Sequence, residues 1–157
     1  MKTFIIAVAF IAVAFLAWAV NAQAQTTPPN LALSAVASAE TSLGSSYPIA
    51  ALNDGNRNTY WVGTKFPEWC KLTWSSNKVF NLIKVEMPLT SYQNNAQIMK
   101  FEGSMDGISW TLIVPQNTYN FNSLAPTNGG VQYFDLGIDQ GRLIQAKYIR
   151  ITTTQNI

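Results

Sequence analysis

Hydrophobic and polar residues alternate along much of the chain after its first thirty positions, which is the pattern of half-buried β-strands. The clearest run is 69–74, in which Lys71 and Thr73 separate apolar neighbours. Runs around Val85 and Phe101 repeat this two-residue period. Short strands divided by turn residues predict an all-β fold, either an antiparallel β-sandwich or a barrel. The predicted strands are Leu31 to Ala39, Tyr60 to Val62, Trp69 to Trp74, Ile83 to Met87, Met99 to Glu102, Trp110 to Leu112, Val131 to Leu136 and Lys147 to Thr152.

Turn signals separate these strands. The polar run Ser75 to Lys78 predicts a turn, and Asp106-Gly107 is a favoured hairpin dipeptide. Pro115 to Gly130 is rich in asparagine, which predicts a long loop that carries Tyr119 and Phe121. The inward positions of the alternating runs predict the hydrophobic core, which consists of Ile83, Val85, Met87, Phe101, Trp110, Ile149 and Ile151.

The N-terminal segment has a different character. Lys2 precedes an unbroken apolar run from Phe4 to Val20, and Ala22-Gln23-Ala24 forms an A-x-A cleavage site. A transmembrane anchor is the alternative, but the run has 17 residues and no basic cluster follows it. We therefore predict a signal peptide over residues 1–24, a loose lead-in over 25–30 and one domain over 31–157, secreted to the extracellular space or the periplasm.

Charge and reactive residues exclude several functions. Without the signal peptide, nine Lys and Arg oppose eight Asp and Glu, spread singly along the sequence, so no nucleic-acid or membrane-lipid surface is predicted. The chain has no histidine, which removes the commonest general base and metal ligand. Cys70 is the only cysteine and lies in an alternating run, which predicts a buried, unreactive thiol. No pattern pairs two carboxylates, and we predict that the protein is not an enzyme.

Two motifs carry a family resemblance. They are the runs DGNRNTYW, which begins at Asp54, and SMDGISW, which begins at Ser104, with PEWCKLTW, NLIKVEM and AKYIRIT at the expected spacing. Over about Asn30 to Thr153 the sequence resembles the discoidin, or coagulation factor 5/8 C-terminal (F5/8 type C), domains, and most closely the family 32 carbohydrate-binding modules. The resemblance implies a jelly-roll β-sandwich of the galactose-binding-domain-like type.

The turn that contains Asp54 suggests a metal. A carboxylate and the Thr59 hydroxyl bracket backbone carbonyls, an all-oxygen environment that suits Ca²⁺, although on this stretch alone a plain polar turn is the preferred interpretation. The resemblance implies a structural Ca²⁺ held by the Ala51 carbonyl, the Asp54 carboxylate, the Asn56 carbonyl and Thr59. The family normally adds an acidic residue from one further strand. Because the sequence stops at Ile157, we expect a weak, partial site.

The same stop predicts a sandwich that lacks its last strand. An unpaired edge would then be exposed, through which the protein could associate with itself or with another chain. A truncated variant, a fragment and a chain completed by a partner all remain open from the sequence.

The resemblance also implies a ligand site on loops at one end of the sandwich. The matching loops are Glu40 to Tyr47, Gly63 to Glu68, Leu89 to Gln97 and the segment around Tyr119. Their aromatic and polar side chains suit a neutral sugar. The predicted ligand residues are Glu40, Lys65, Phe66, Tyr92, Asn94, Asn95, Tyr119 and Phe121.

Binding of a carbohydrate or glycan is therefore the predicted function. A protein-interaction or matrix-interaction module that binds no free sugar is the alternative. A lipid-binding domain ranks third, since Phe66 is the one candidate for an apolar loop tip.

Overall fold

The chain is described by a computed structural model that covers residues 29–88, 95–121, 130–137 and 143–156. Leu31–Ile157 forms one compact unit. The predicted signal peptide and most of the lead-in lie outside the described residues. No helix in the described part is long and apolar enough to cross a bilayer. The strands are β1 (Val36–Ala39), β2 (Glu68–Phe80), β3 (Leu82–Glu86), β4 (Asn95–Ser104), β5 (Thr111–Phe121), β6 (Val131–Asp135) and β7 (Ile144–Asn156).

These strands form two antiparallel sheets, which confirms the predicted β-sandwich. The larger sheet has the order β1-β2-β7-β4-β5, and the smaller pairs β3 with β6. Every pairing is antiparallel. The closing strand β7 is therefore central in its sheet, hydrogen-bonded to β2 on one side and β4 on the other.

The core lies between the sheets and contains residues from both. Phe101 on β4 is fully buried, and its ring packs against Phe134 of β6 with centroids 4.5 Å apart. A second cluster is built around Trp74, whose indole nitrogen donates to the Leu31 carbonyl at 2.8 Å. Six of the seven predicted core residues lie in or against these clusters: Ile83, Val85, Met87, Phe101, Ile149 and Ile151.

Trp110 is the exception. Its ring packs against the Arg150 guanidinium at 4.1 Å and against Tyr148 at 6.5 Å, outside both core clusters. Trp110 lies between the Asp106-Gly107 turn and the first residue of β5. The alternation of inward and outward side chains in β5 therefore does not determine which way Trp110 faces. The prediction that Trp110 is a core residue is wrong.

The first half of the chain has less strand than predicted. Leu31–Ser34 is a 3₁₀-helix, and the strand begins only at Val36. A second 3₁₀-helix spans Ile49–Leu52, and residues 60–62 form no strand. Trp61 is used instead to join two loops, because its indole nitrogen donates to the Thr41 carbonyl at 2.9 Å.

Two predicted breaks are continuous strand. β2 runs through Ser75 to Lys78, where the register against β7 shifts between Thr73 and Lys78. The polar run that predicted a turn is therefore the place where the pairing of β2 with β7 is irregular. β5 likewise extends through Tyr119 to Phe121, into the predicted loop, because these aromatic side chains keep the two-residue period and point inward.

Candidate functional site

Strand pairing gathers several connections at one end of the larger sheet, which we call the loop end. β1 ends where β2 begins, since Ala39 pairs with Cys70. β7 ends beside the starts of β2 and β4, and Asn95 of β4 pairs with the last residue of β5. The loop after β1 and the loop before β2 therefore meet here, as expected for the resembled family.

A buried carboxylate joins these two loops. Glu68 is 3% exposed, and its Oε1 accepts a hydrogen bond from the Thr41 backbone N–H at 3.1 Å. Its Oε2 accepts from the Thr41 hydroxyl. The Thr41 hydroxyl oxygen in turn accepts from the backbone N–H of Thr64 at 2.9 Å. The two loops are thereby fixed to each other around a single side chain, although Thr41 lies 27 residues before Glu68.

Close packing completes this junction. A Cβ atom at Gly63 would lie 2.6 Å from Glu68 Cγ and 2.8 Å from Oε2, so only glycine fits beside the carboxylate without rearrangement. The backbone also joins the loops directly, as Leu43 N–H donates to the Val62 carbonyl at 2.9 Å. Glu68 was not among the predicted site residues, although it shares the inward parity of Cys70, Leu72 and Trp74.

The junction carries three of the predicted ligand residues on its solvent side. Glu40 and Lys65 form an ion pair across the two loops. The hydrogen bond to Glu40 raises the pKa of Lys65, which keeps the ammonium charged. Phe66 follows directly and is 56% exposed. The structure therefore groups a hydrogen-bond acceptor, a hydrogen-bond donor and an exposed aromatic side chain on loops that Glu68 holds in place.

Two of the remaining predicted ligand residues, Phe121 and Tyr119, lie in β5 and pack inward. Tyr92 and Asn94 lie outside the described residues, and only the backbone of Asn95 is described. Phe121 is 1% exposed in the core, so its prediction as a ligand contact is wrong. The Tyr119 ring packs on the core residue Phe134 at 4.9 Å, and its hydroxyl donates to the Pro115 carbonyl at 3.0 Å.

Tyr119 is therefore also a packing residue and not a loop aromatic. Inward placement in β5 is the common cause for both corrections, since this strand continues to Phe121 through the start of the predicted long loop. Cys70 is half-buried as a residue, and burial raises the pKa of its thiol to about 12, so the thiol is protonated at neutral pH, as the predicted unreactive role requires.

The predicted metal-binding turn is compact and exposed. The Asp54 carboxylate accepts from the Asn56 backbone N–H at 2.8 Å and from the Thr59 hydroxyl at 2.5 Å. The same hydroxyl lies 2.9 Å from the Asn56 carbonyl oxygen. The Thr59 and Asn56 hydrogen bonds lower the pKa of Asp54, which is ionised at neutral pH. Gly55, at φ +76°, permits the tight reversal.

These oxygens fit a hard cation in chemistry and in spacing. The Thr59 hydroxyl stands within hydrogen-bond distance of both the Asp54 carboxylate and the Asn56 carbonyl, so these three oxygens are close enough to be ligands of one ion. Asp54 brings the negative charge, and the described residues contain no group of three or more acidic or cysteine side chains that could hold a metal. Affinity for Ca²⁺ would accordingly be low, because it rises with ligand charge.

Solved structures of the same fold include carbohydrate-binding modules. The chitosan-binding module 1 of a chitosanase/glucanase from Paenibacillus sp. IK-5 aligns with a TM-score of 0.62 and 22% identity, over 82% of this chain and 88% of that one. A family 32 carbohydrate-binding module from C. perfringens, in complex with galactose, aligns with a TM-score of 0.59 and 23% identity, over 80% and 86%.

A larger protein also contains the fold. An alpha-L-fucosidase candidate from Bacteroides thetaiotaomicron aligns with a TM-score of 0.66 and 17% identity, over 82% of this chain but 26% of its own length. We found no curated protein with significant sequence similarity to the chain. The family model of the F5/8 type C domain, however, matches residues 34–157, which is most of the sequence. The chain therefore belongs to the F5/8 type C domain family.

Proposed function

We propose that the protein is a secreted, non-catalytic module that binds a neutral carbohydrate at the loop end. One observation carries the proposal: the exposed Phe66 side chain stands next to the Glu40–Lys65 ion pair, on loops fixed by the buried Glu68. Aromatic rings cover the apolar face of a sugar, and charged groups bond its hydroxyls directionally. Because the loops are braced before binding, little entropy is lost in ordering them.

The solved structures support the same function. The similar modules are described as bound to galactose, to GalNAc-β-1,3-galactose and to 4,5-unsaturated mannuronic acid. We further propose that Ca²⁺ occupies the Asp54 turn with low affinity, held by the Asp54 carboxylate, Thr59 and the carbonyls of Ala51 and Asn56. In that role the ion is structural and takes no part in contacting the sugar.

A glycan array with purified protein tests the proposal. Phe66→Ala removes the open ring, and we expect about tenfold weaker binding to every neutral glycan recognised, since one aromatic contact contributes on this scale. Ile108→Ala is the matched control, because this side chain is 84% exposed at the opposite end of the sheet and its loss should change nothing.

Two outcomes would reject the site. One is that Phe66→Ala leaves glycan binding unchanged, and the other is that wild type binds no glycan at all. In the second case, stable self-association or capture of a matrix polymer would favour the predicted alternative of an interaction module.

A further inference from the structure

The outer side of the larger sheet, facing away from the core, carries an ordered set of charged and aromatic residues. Strand register places most of them in rows across β2, β7 and β4. Lys147 of β7 is included for its contact with the Tyr148 ring, and Trp110 for its contact with Arg150. Lys71 pairs with Arg150, and Arg150 pairs with Glu102, in the central row. We call this surface the outer sheet face and define it by Trp69, Lys71 and Thr73 of β2, Lys147, Tyr148, Arg150 and Thr152 of β7, Lys100 and Glu102 of β4, and the adjoining Trp110.

Three of its four cations are held against aromatic rings. The Arg150 guanidinium lies 4.1 Å from the Trp110 ring centroid. The Lys71 ammonium lies 5.6 Å from the ring of Trp69. Such packing fixes long side chains that are otherwise mobile, at distances typical of cation–π contacts. The cations are thereby positioned before any ligand arrives.

Lys147 repeats this arrangement, with its ammonium 5.8 Å from the Tyr148 ring. Glu102 is the acidic member of the face. Its Oε2 accepts from Arg150 Nη2 at 2.9 Å, and its Oε1 accepts from Lys100 Nζ at 3.0 Å. Burial opposes ionisation of Glu102, yet the hydrogen bonds from Lys100 and Arg150 lower its pKa, so one negative charge is present.

Charge is therefore unevenly distributed on the molecule. The sequence beyond the predicted signal peptide has nine basic and eight acidic residues. The outer sheet face as defined has four cations (Lys71, Lys100, Lys147 and Arg150) and one carboxylate. Within the described ranges, Lys71 and Lys147 contact rings and form no ion pair, so their ammonium donors remain available.

We propose that the outer sheet face binds an acidic polysaccharide, a chain of uronic acid units, independently of the loop end. The cations span three strands, about 10 Å at the usual spacing, which is wider than one sugar ring and points to a polymer with repeated carboxylates. The threonine hydroxyls in the neighbouring rows, Thr73 and Thr152, offer hydrogen bonds to sugar hydroxyls.

The geometry disfavours other polyanions. Single-stranded nucleic acids gain much of their affinity by stacking bases on open aromatic faces. Here the cations lie over the rings of Trp69, Trp110 and Tyr148, so a stacking base would have to displace them. The carboxylates of an acidic polysaccharide would instead contact the cations, and the rings would keep those cations in position.

Binding of sodium polygalacturonate, measured by calorimetry at low salt, tests the proposal. We expect Lys71→Gln and Lys147→Gln each to weaken binding about threefold and the double variant about tenfold, as for partly exposed ion pairs. Lys84→Gln is the matched control, since Lys84 also lies over a ring, that of Tyr133 at 6.0 Å, but belongs to the smaller sheet. It should leave binding unchanged, as should Phe66→Ala.

Three results would overturn the proposal. The first is that wild type does not bind polygalacturonate at low salt. The second is that Lys84→Gln or Phe66→Ala weakens binding as much as Lys71→Gln, which would indicate overall charge or the loop end. The third is that single-stranded DNA or phosphatidylserine vesicles bind as tightly and depend on the same lysines, which would indicate a general polyanion surface.

Discussion

Two carboxylates in this protein are bonded alike and yet serve different purposes. Glu68 and Asp54 each accept one backbone N–H and one threonine hydroxyl. Glu68 is buried, and its partner Thr41 is 27 residues away. Asp54 is exposed, and its partners lie two and five residues along the same turn.

The comparison shows that the same hydrogen bonds have different consequences for a buried and for an exposed carboxylate. A buried carboxylate that lacks hydrogen-bond partners has lost its hydration without compensation. Glu68 therefore holds two distant loops in the arrangement that supplies its partners. Asp54 shapes its own turn and can exchange its protein partners for water at little cost. The loop end should therefore depend on Glu68, whereas Asp54 is free to take part in binding an ion.

Removal of Glu68 should have the largest effect. Glu68→Ala leaves the Thr41 N–H and hydroxyl without their acceptor in a buried junction, and we expect a loss of about 3 kcal/mol in the free energy of unfolding. Glu86→Ala removes a carboxylate at the surface of another strand, together with its ion pairs to Arg57 and Lys84, and should cost at most about 1 kcal/mol. Urea denaturation measures both. Equal costs for the two variants would show that burial of Glu68 is unimportant.

Gly63→Ala should follow in size. The new methyl group would meet Glu68 Cγ at 2.6 Å, and overpacking of this kind costs about 2 kcal/mol. A double-mutant cycle with Glu68→Ala isolates the contact, because the alanine side chain ends short of the clash. We expect the cost of Gly63→Ala to fall by more than half in the Glu68→Ala background. Strict additivity would instead assign the cost to the backbone.

Asp106 extends the comparison to a third carboxylate, exposed like Asp54 but with more partners. It accepts from the N–H groups of Ile108 and Ser109 at 2.8 Å each, and from the Ser104 hydroxyl. These bonds lower its pKa from 3.8 to about 2. A lowered folded-state pKa stabilises the protein above the unfolded-state value and loses that effect as the pH falls from about 4 to about 2.

We therefore expect Asp106→Asn to lower the Tm at pH 6, by less than Glu68→Ala does, and the gap to wild type to narrow toward pH 2. Thermal unfolding followed by circular dichroism across this range checks the sign. A gap that widens in acid would contradict the assigned hydrogen bonds.

Asp54→Asn should be the mildest change in buffer without calcium. Asparagine retains an acceptor for the Asn56 N–H, so the turn persists and the Tm should move little. With millimolar Ca²⁺ we expect wild type to gain thermal stability and Asp54→Asn to gain less, since the site loses its carboxylate charge. Asp106→Asn, which alters a carboxylate in another turn, should keep the full calcium response. A wild type indifferent to Ca²⁺ would remove the proposed site and leave Asp54 as a turn residue.

The features that could be predicted from the sequence are those determined by residues close together in the chain. The two-residue period identified β3, the start of β2 and core residues such as Phe101, and the Asp106-Gly107 turn was found from its own dipeptide. Tyr119 was misassigned because an asparagine-rich context outweighed its strand parity.

Features that depend on contacts between residues far apart in the chain could not be predicted from the sequence. The burial of Glu68 depends on Thr41, and the bulge in β2 depends on how β7 aligns beside it. The grouping of cations on the outer sheet face likewise depends on the register of three strands, in which Lys71 and Arg150 become neighbours. In the linear sequence these charges are dispersed, and only the strand order gathers them.

The position of β7 also bears on how the molecule is made. It follows the other six strands in the chain, yet it separates the β1–β2 ribbon from the β4–β5 ribbon and supplies the hydrogen bonds to both. During folding each ribbon keeps one edge open until Ile144–Asn156 pairs with both. Assembly of the larger sheet therefore requires contacts between remote segments, which implies slow folding.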